Sequence, residues 1–221
     1  MDYLIAKAKI LKGKAVNYWI KIKKRMHLFD IPYNLDTSDC VDIKDLVDSI
    51  DSENVENMGR YVPTNHKQLK PLLDELIAID PTVLDYTLID FGCGKGRVLI
   101  QAERMGFKDV IGVEFSKKLY EICCSNLKKV KAKAAKVVCE DATKFKIEGN
   151  IKTFYFCNPF EFCILEKVLQ NIQEYIKNVS YDTYLIYIDP RKFGRLDENR
   201  YEMLVKYDGP LTPYHIYRVL K

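Results

Sequence analysis

The sequence predicts an α/β fold: a doubly wound, seven-stranded, mostly parallel sheet with an antiparallel C-terminal hairpin and an N-terminal helical extension. Three observations carry this. From residue 64 onward, short runs rich in Val, Ile, Phe and Tyr alternate with stretches whose apolar residues return every three or four positions. Such alternation implies parallel strands joined by right-handed crossover helices. A glycine-rich turn, Gly92-Cys93-Gly94-Lys95-Gly96, follows the first strand-like run. The last two such runs, YEMLVKY and YHIYRVL, are separated only by a loop containing GPLTP, which makes them a hairpin.

The elements follow in order. Residues 3–26 place Leu4, Ala8, Leu11, Ala15, Trp19, Ile22 and Met26 on one narrow helical stripe, with lysines around it. Residues 28–40 are turn-rich, and 41–57 read as a short acidic helix that Gly59 and Pro63 end. A helix is expected to about Ile79 with Thr64 or Asn65 as N-cap. Pro71 suggests that its regular part starts near there. Strands at about 87–91, 109–115, 136–142, 153–158 and 184–189 alternate with helices at about 96–106, 116–131 and 162–179. The last helix has the clearest 3.6-residue beat, from Ile164 to Val179. The reading divides the chain into an extension, 1–60, and a domain, 61–221.

Length and composition bound the function. A chain of 221 residues is one ordinary domain with an appendage. With 48% apolar and 30% charged residues it is not a disordered chain. No 18-residue run lacks charge, so no membrane-spanning helix is expected, and the lysine-studded N-terminus is no secretory leader. Seven cysteines without a CxxC pair suit neither a disulfide framework nor a zinc site, and free thiols point to the cytoplasm. His27, His66 and His215 show no ligand spacing, and no metal site is expected. Net charge is +4, too little to argue for nucleic acid, but residues 1–30 carry +6 and residues 31–60 carry −6. The basic segment has four readings: contact with an anionic membrane surface, nucleic acid or a protein partner, or packing on its own fold.

In a doubly wound sheet the ligand lies outside the carboxyl ends of the strands, so residues just after each strand carry the function. The first strand ends in Asp90, followed by Gly92, Gly94 and Gly96. The dinucleotide fingerprint G-x-G-x-x-G/A fails because Arg97 holds its last position, and the P-loop GK[ST] is absent. An acid before the first glycine repels a pyrophosphate and suits a ligand with a positive group. The bare alternative is a tight strand-to-helix turn. Glu114, ending the second strand, can accept both hydroxyls of a ribose, or simply neighbour the N-cap Ser116. Asp141, after the third, can accept the amino group of adenine or sit in a solvated turn.

Asp90 with its glycines, Glu114 and Asp141 form an ordered constellation that resembles the class I S-adenosylmethionine-dependent methyltransferases over about residues 60–221. That resemblance implies a Rossmann-like methyltransferase fold and S-adenosyl-L-methionine as cofactor. Asp90, Gly92, Gly94 and Gly96 then lie at the methionine moiety, Glu114 at the ribose and Asp141 at the adenine, on which Phe115 could stack. The runs LDTSDC, YVPT, IDFGCGKGRVL, IGVEFSKKL and NPF resemble more closely an uncharacterised bacterial methyltransferase group. It is distantly related to the non-SET lysine methyltransferases of the disruptor-of-telomeric-silencing type. On that resemblance Tyr61 and Thr64 close over the methionine end.

Asn158-Pro159-Phe160-Glu161 ends the fourth strand. Amino-group methyltransferases often carry N-P-P-[YF] there; here Phe160 replaces the second proline and Glu161 the aromatic, which argues against adenine or glutamine as acceptor. Asn158 and Tyr61 are the catalytic candidates, and Asp189 after the fifth strand is similarly placed. Three functions compete: methylation of an amine such as a protein lysine, methylation of a small metabolite or cell-surface precursor, and a non-catalytic binding module. The intact constellation disfavours the third.

Overall fold

A computed structural model describes residues 28–42, 45–46, 61–158, 161–190 and 196–221. The expected helices at 3–26 and 41–57, and Pro159 and Phe160, lie wholly or largely outside these residues. The described chain gives strands β1 (Thr87–Phe91), β2 (Asp109–Glu114), β3 (Ala135–Cys139), β4 (Ile151–Cys157), β5 (Thr183–Ile188), β6 (Tyr201–Tyr207) and β7 (Tyr214–Val219). Its helices are α1 (His66–Ile79), α2 (Arg97–Arg104), α3 (Lys117–Lys129) and α4 (Phe162–Ile176). The sheet order is β3-β2-β1-β4-β5-β7-β6. β1 to β5 run parallel, and β7 pairs antiparallel with both β5 and β6. The order reverses between β1 and β4, and that crevice is the switch point.

Local chemistry sets the boundaries. Asn65 caps α1 by accepting from the Lys67 amide, so of the two candidate caps it is Asn65 and not Thr64. Pro71 lies inside α1, which begins at His66 in spite of it. Ser116 caps α3 through the Leu119 amide. β3 ends at Cys139, so Asp141 stands two residues beyond the strand, in a turn. Two 3-10 turns, Ile31–Tyr33 and Pro81–Asp85, were not foreseen.

The core has two layers. Leu69, Leu72, Leu73 and Leu76 of α1, Leu99 of α2 and Cys123 and Leu127 of α3 pack on one face, against Leu88, Val110, Tyr155 and Ile186. Among the described residues the other face carries one helix: Ile164, Leu165, Val168 and Ile172 of α4 cover Ile89, Phe91, Phe154 and Phe156. Phe145 and Ile147, from the helix-free β3–β4 connection, complete that layer. The rigid parallel strands hold five strand ends in one row, which is what the site requires.

Candidate active site

Backbone conformation shapes the first half of the row. Gly92, Gly94 and Gly96 all have positive φ, at 75°, 54° and 84°. A Cβ on Gly94 would fall on Cε2 and Cδ2 of the Tyr61 ring, so only glycine lets that ring approach the turn. The turn is anchored beneath by the amides of Gly92 and Cys93, which donate to Val113 O at 2.8 and 3.2 Å. Glu114, buried at the end of β2, accepts from the Gly94 amide (Oε2, 2.9 Å) and the Ser116 amide (Oε1, 2.8 Å). Burial pushes its carboxyl up to about 7 against those two amides. Asp90 is 1% exposed, and its Oδ2 has no hydrogen-bond partner among the described residues. Burial first, and then the nearby Glu114, holds its carboxyl well above the usual range. A buried acceptor without a donor is costly, and a cationic group brought to it satisfies it. The ammonium of S-adenosylmethionine is such a group, so the cofactor fits this half of the site. Asp141 spends Oδ1 on the amide and hydroxyl of Thr143, at 2.9 and 2.8 Å, which fixes the turn after β3. Phe115 packs with Tyr61, Leu46, Leu119 and Val41 in a small cluster beside the glycine turn.

A buried network, which the sequence reading missed, ties residues 30–38 to this turn. Arg97 entered that reading only as the residue that spoils the dinucleotide fingerprint. It is 2% exposed and donates to Thr37 Oγ1 (2.9 Å), Ser38 Oγ (2.8 Å) and Thr64 O (2.8 Å). Asp30 in turn accepts from the amide and hydroxyl of Thr37. Asn126 of α3 behaves as a strand would: its Oδ1 accepts from the Asp36 amide, and its Nδ2 donates to Asp36 O and Lys95 O. Lys95 closes the circuit on Asp36 at 2.7 Å. Residues 28–42 are therefore bonded into the domain, although the boundary drawn at 60/61 left them outside it. The visible signal was the run of hydrogen-bonding residues in LDTSD, which a solvated linker does not need.

Tyr61 hangs from this strap. It pairs with Val41 as an antiparallel bridge, and its hydroxyl donates to Thr37 O at 3.0 Å. Burial pushes its phenol well above the usual value. Thr64 Oγ1 lies 3.3 Å from the Tyr155 hydroxyl, and Tyr155 is the register partner of Asp90.

The second half of the row is built differently. Asn158 follows β4 with φ 44° and Asp189 follows β5 with φ 56°. Cys157 and Ile188 are register partners, so the two left-handed residues are neighbours across the sheet. Asn158 Oδ1 is buried and has no hydrogen-bond partner among the described residues. The Asp189 amide donates to Pro213 O at 2.8 Å, which holds the β6–β7 loop at the strand ends. Burial, then the carboxylates of Asp90 and Asp189, pushes the Cys157 thiol up to about 12. One thiol thus feels both carboxylates, and it is too weakly acidic to act as a nucleophile at neutral pH.

Residues 88–179 match the family model described as methyltransferase domain. No curated protein sequence matches the chain significantly. Solved structures share the fold. A SAM-dependent methyltransferase from Aquifex aeolicus is 15% identical with a TM-score of 0.57, over 81% of this chain and 99% of its own. An RNA methyltransferase from Salinibacter ruber, in complex with S-adenosyl-L-homocysteine, is 19% identical with a TM-score of 0.51, over 69% and 92%. The magnesium protoporphyrin IX methyltransferase of Synechocystis PCC 6803, with bound SAM, is 14% identical with a TM-score of 0.51, over 70% and 79%.

Proposed function

We propose that this S-adenosylmethionine-dependent methyltransferase transfers its methyl group to an amine nitrogen, with a protein lysine as the first acceptor to test. The observation that carries the reading is Asn158. It holds a buried carbonyl oxygen with no donor among the described residues, on a left-handed backbone at the switch-point edge, beside the end of the strand that bears Asp90. Non-glycine residues in that conformation concentrate at functional sites. An amine N–H satisfies the Oδ1 and orients the nitrogen lone pair. The resemblance of the YVPT and IDFGCGKGRVL runs to a bacterial group distantly related to the non-SET lysine methyltransferases supports the same reading.

The cofactor supplies an electrophilic methyl and its own leaving group, so the protein's work is orientation and exclusion of water. Asp90 and the glycine turn hold the methionine end, Glu114 the ribose and Asp141 the adenine. Tyr61 serves as a wall. Its hydroxyl is committed to Thr37 O and its phenol is held above the usual range, which disqualifies it as a general base. A lysine acceptor, with a free pKa of about 10.4, has to shed its proton to water. We place the enzyme in the cytoplasm, which accords with its seven free cysteines.

The test uses tritiated cofactor with lysate protein, nucleic-acid and small-molecule fractions. Base-stable label in protein, together with a roughly hundredfold fall in turnover for Asn158→Ala at unchanged S-adenosylhomocysteine affinity, is the expected result. Label confined to small molecules would move the acceptor to a metabolite or cell-surface precursor. Full turnover by Asn158→Ala would remove the residue from the chemistry.

A further inference from the structure

We propose that the protein docks on anionic lipid bilayers through the face formed by the 3-10 turn at Ile31–Tyr33 and the C-terminal ends of α2 and α3. Lys128, Lys129, Lys131, Lys133 and Lys136 follow one another there, all exposed, and no acidic residue occurs between 128 and 139. Arg104 and Lys108, from the end of α2 and the turn after it, are exposed too. Glu103 and Asp109 flank Arg104 and Lys108 in the sequence. Glu103 is committed to the amides of Lys133 (2.7 Å) and Ala135 (2.9 Å), and only Asp109 is exposed.

An apolar wedge is fixed to the same surface. Leu28, Ile31 and Tyr33 are 54%, 68% and 48% exposed. The Arg104 guanidinium lies 5.0 Å from the ring centres of both Phe29 and Tyr33, and Lys129 Nζ donates to Asn34 O at 2.8 Å. The turn is thereby held against both basic helix ends, and wedge and lysines form one unit. Residues 1–27, which precede Leu28, add eight Lys/Arg against a single Asp. Like charges do not neutralise one another, so both features call for the same anionic partner. Of the described acidic run, Asp36 pairs with Lys95, while Asp39, Asp42 and Asp45 are exposed and Lys118 Nζ donates to the backbone O of Asp45. Lys118 stands about 16 Å from Lys129 along α3 at 1.5 Å per residue, beyond a screening length of about 10 Å.

Lysines around exposed aliphatic and aromatic side chains match a bilayer interface: the cations meet lipid headgroups while the wedge enters the acyl boundary. A nucleic acid offers phosphates to the lysines but nothing to Leu28 and Ile31. Helix C-termini lie at the sheet's amino edge, so docking here leaves the strand carboxyl ends open to the acceptor.

The experiment is sedimentation of the full chain with phosphatidylcholine vesicles, with and without phosphatidylserine, in low and high salt. A parallel arm offers duplex DNA and single-stranded RNA. The expected result is pelleting with anionic vesicles only, abolished at high salt. The Lys128→Glu, Lys131→Glu, Lys133→Glu variant should partition at least about tenfold more weakly, since each surface lysine is worth roughly fivefold. Ile31→Asp should also weaken it, and both variants should bind S-adenosylhomocysteine as wild type does, which reports an intact fold. Alanine at the three lysines gives the same readout without charge reversal. Undiminished partitioning of these variants, no pelleting by wild type, or a preference for nucleic acid over vesicles would each overturn the proposal.

Discussion

The two halves of the strand-end row reach a similar backbone shape by opposite means. On the cofactor side, three left-handed positions are glycines, and Glu114 is satisfied by the Gly94 and Ser116 amides. On the side proposed for the acceptor, the left-handed positions are Asn158 and Asp189, and the Asn158 oxygen has no donor among the described residues. Glycine adopts positive φ without steric cost, so the first half is relaxed and close-fitting. Asn and Asp adopt it at some cost, and the expense is tolerated where a side chain has to stand at that point. The contrast accords with the proposed roles: one half leaves room for a cofactor lying close to the backbone, whereas the other accepts strain to present side chains.

The strongest way to break the contrast is to put a side chain where the cofactor half allows none. Gly94→Ala meets the Tyr61 ring and has to hold φ 54°. Overpacking and left-handed strain together cost about 3 kcal/mol, more than a hundredfold in cofactor affinity if the turn yields. Calorimetric titration with S-adenosylhomocysteine measures this. Wild-type affinity would mean that Tyr61 moves freely and that the turn is not close-fitting.

Glu114 sharpens the comparison through pH. Its carboxyl is raised to about 7 in the folded protein, above the ordinary glutamate value. Protonated Glu114 therefore contributes stability that is fully present below about pH 4.5 and is lost as pH rises through about 7. The melting temperature of the free protein should fall across that window, and Glu114→Gln should flatten the fall. Cofactor affinity should run the other way, because ribose hydroxyls donate best to the ionised form. Glu114→Gln should weaken binding roughly tenfold or more at pH 8 and far less at pH 6, since each charge-assisted bond is worth about 1.5–3 kcal/mol. Parallel pH profiles for wild type and variant would show that Glu114 does not titrate in this range.

The same contrast explains what the sequence disclosed. The parallel core, the hairpin and the glycine turn with its strand-end acids were legible because each rests on a local rule: alternation of patterns, glycine at forced positive φ, an acid at a strand end. α1 was misjudged at Pro71, where packing of Leu69, Leu72, Leu73 and Leu76 against the sheet outweighs the bond that the proline forfeits. The strap was illegible because its bonds join residues far apart in the chain, Asp36 to Asn126 and Thr37 to Arg97. No periodicity records such pairs. Arg97 read as a broken glycine motif, yet burial makes it the post on which residues 37, 38 and 64 hang. Asn158 was legible by position only. That it stands left-handed beside Asp189, with a buried oxygen lacking a donor among the described residues, depends on β4 and β5 being in register.

The smallest expected effect tests whether the acceptor half gives up stability for function. Asn158→Gly keeps the backbone path at φ 44° without the strain of a side chain, and it removes the buried oxygen that has no donor among the described residues. Against these gains stands the greater freedom of glycine in the unfolded chain. The balance is about 1 kcal/mol in favour of the variant, a rise of a few degrees in melting temperature for a chain of this size. Cofactor affinity should not change, because the cofactor half contains no part of Asn158, while methyl transfer should drop. Stability and turnover would then move in opposite directions at a single residue. A merely structural turn residue gives a different pattern: the glycine variant melts higher and methylates as well as wild type. A variant that melts lower would show that Asn158 makes a contact which holds the β4 end in place, and the contrast between the two halves would lose its energetic basis.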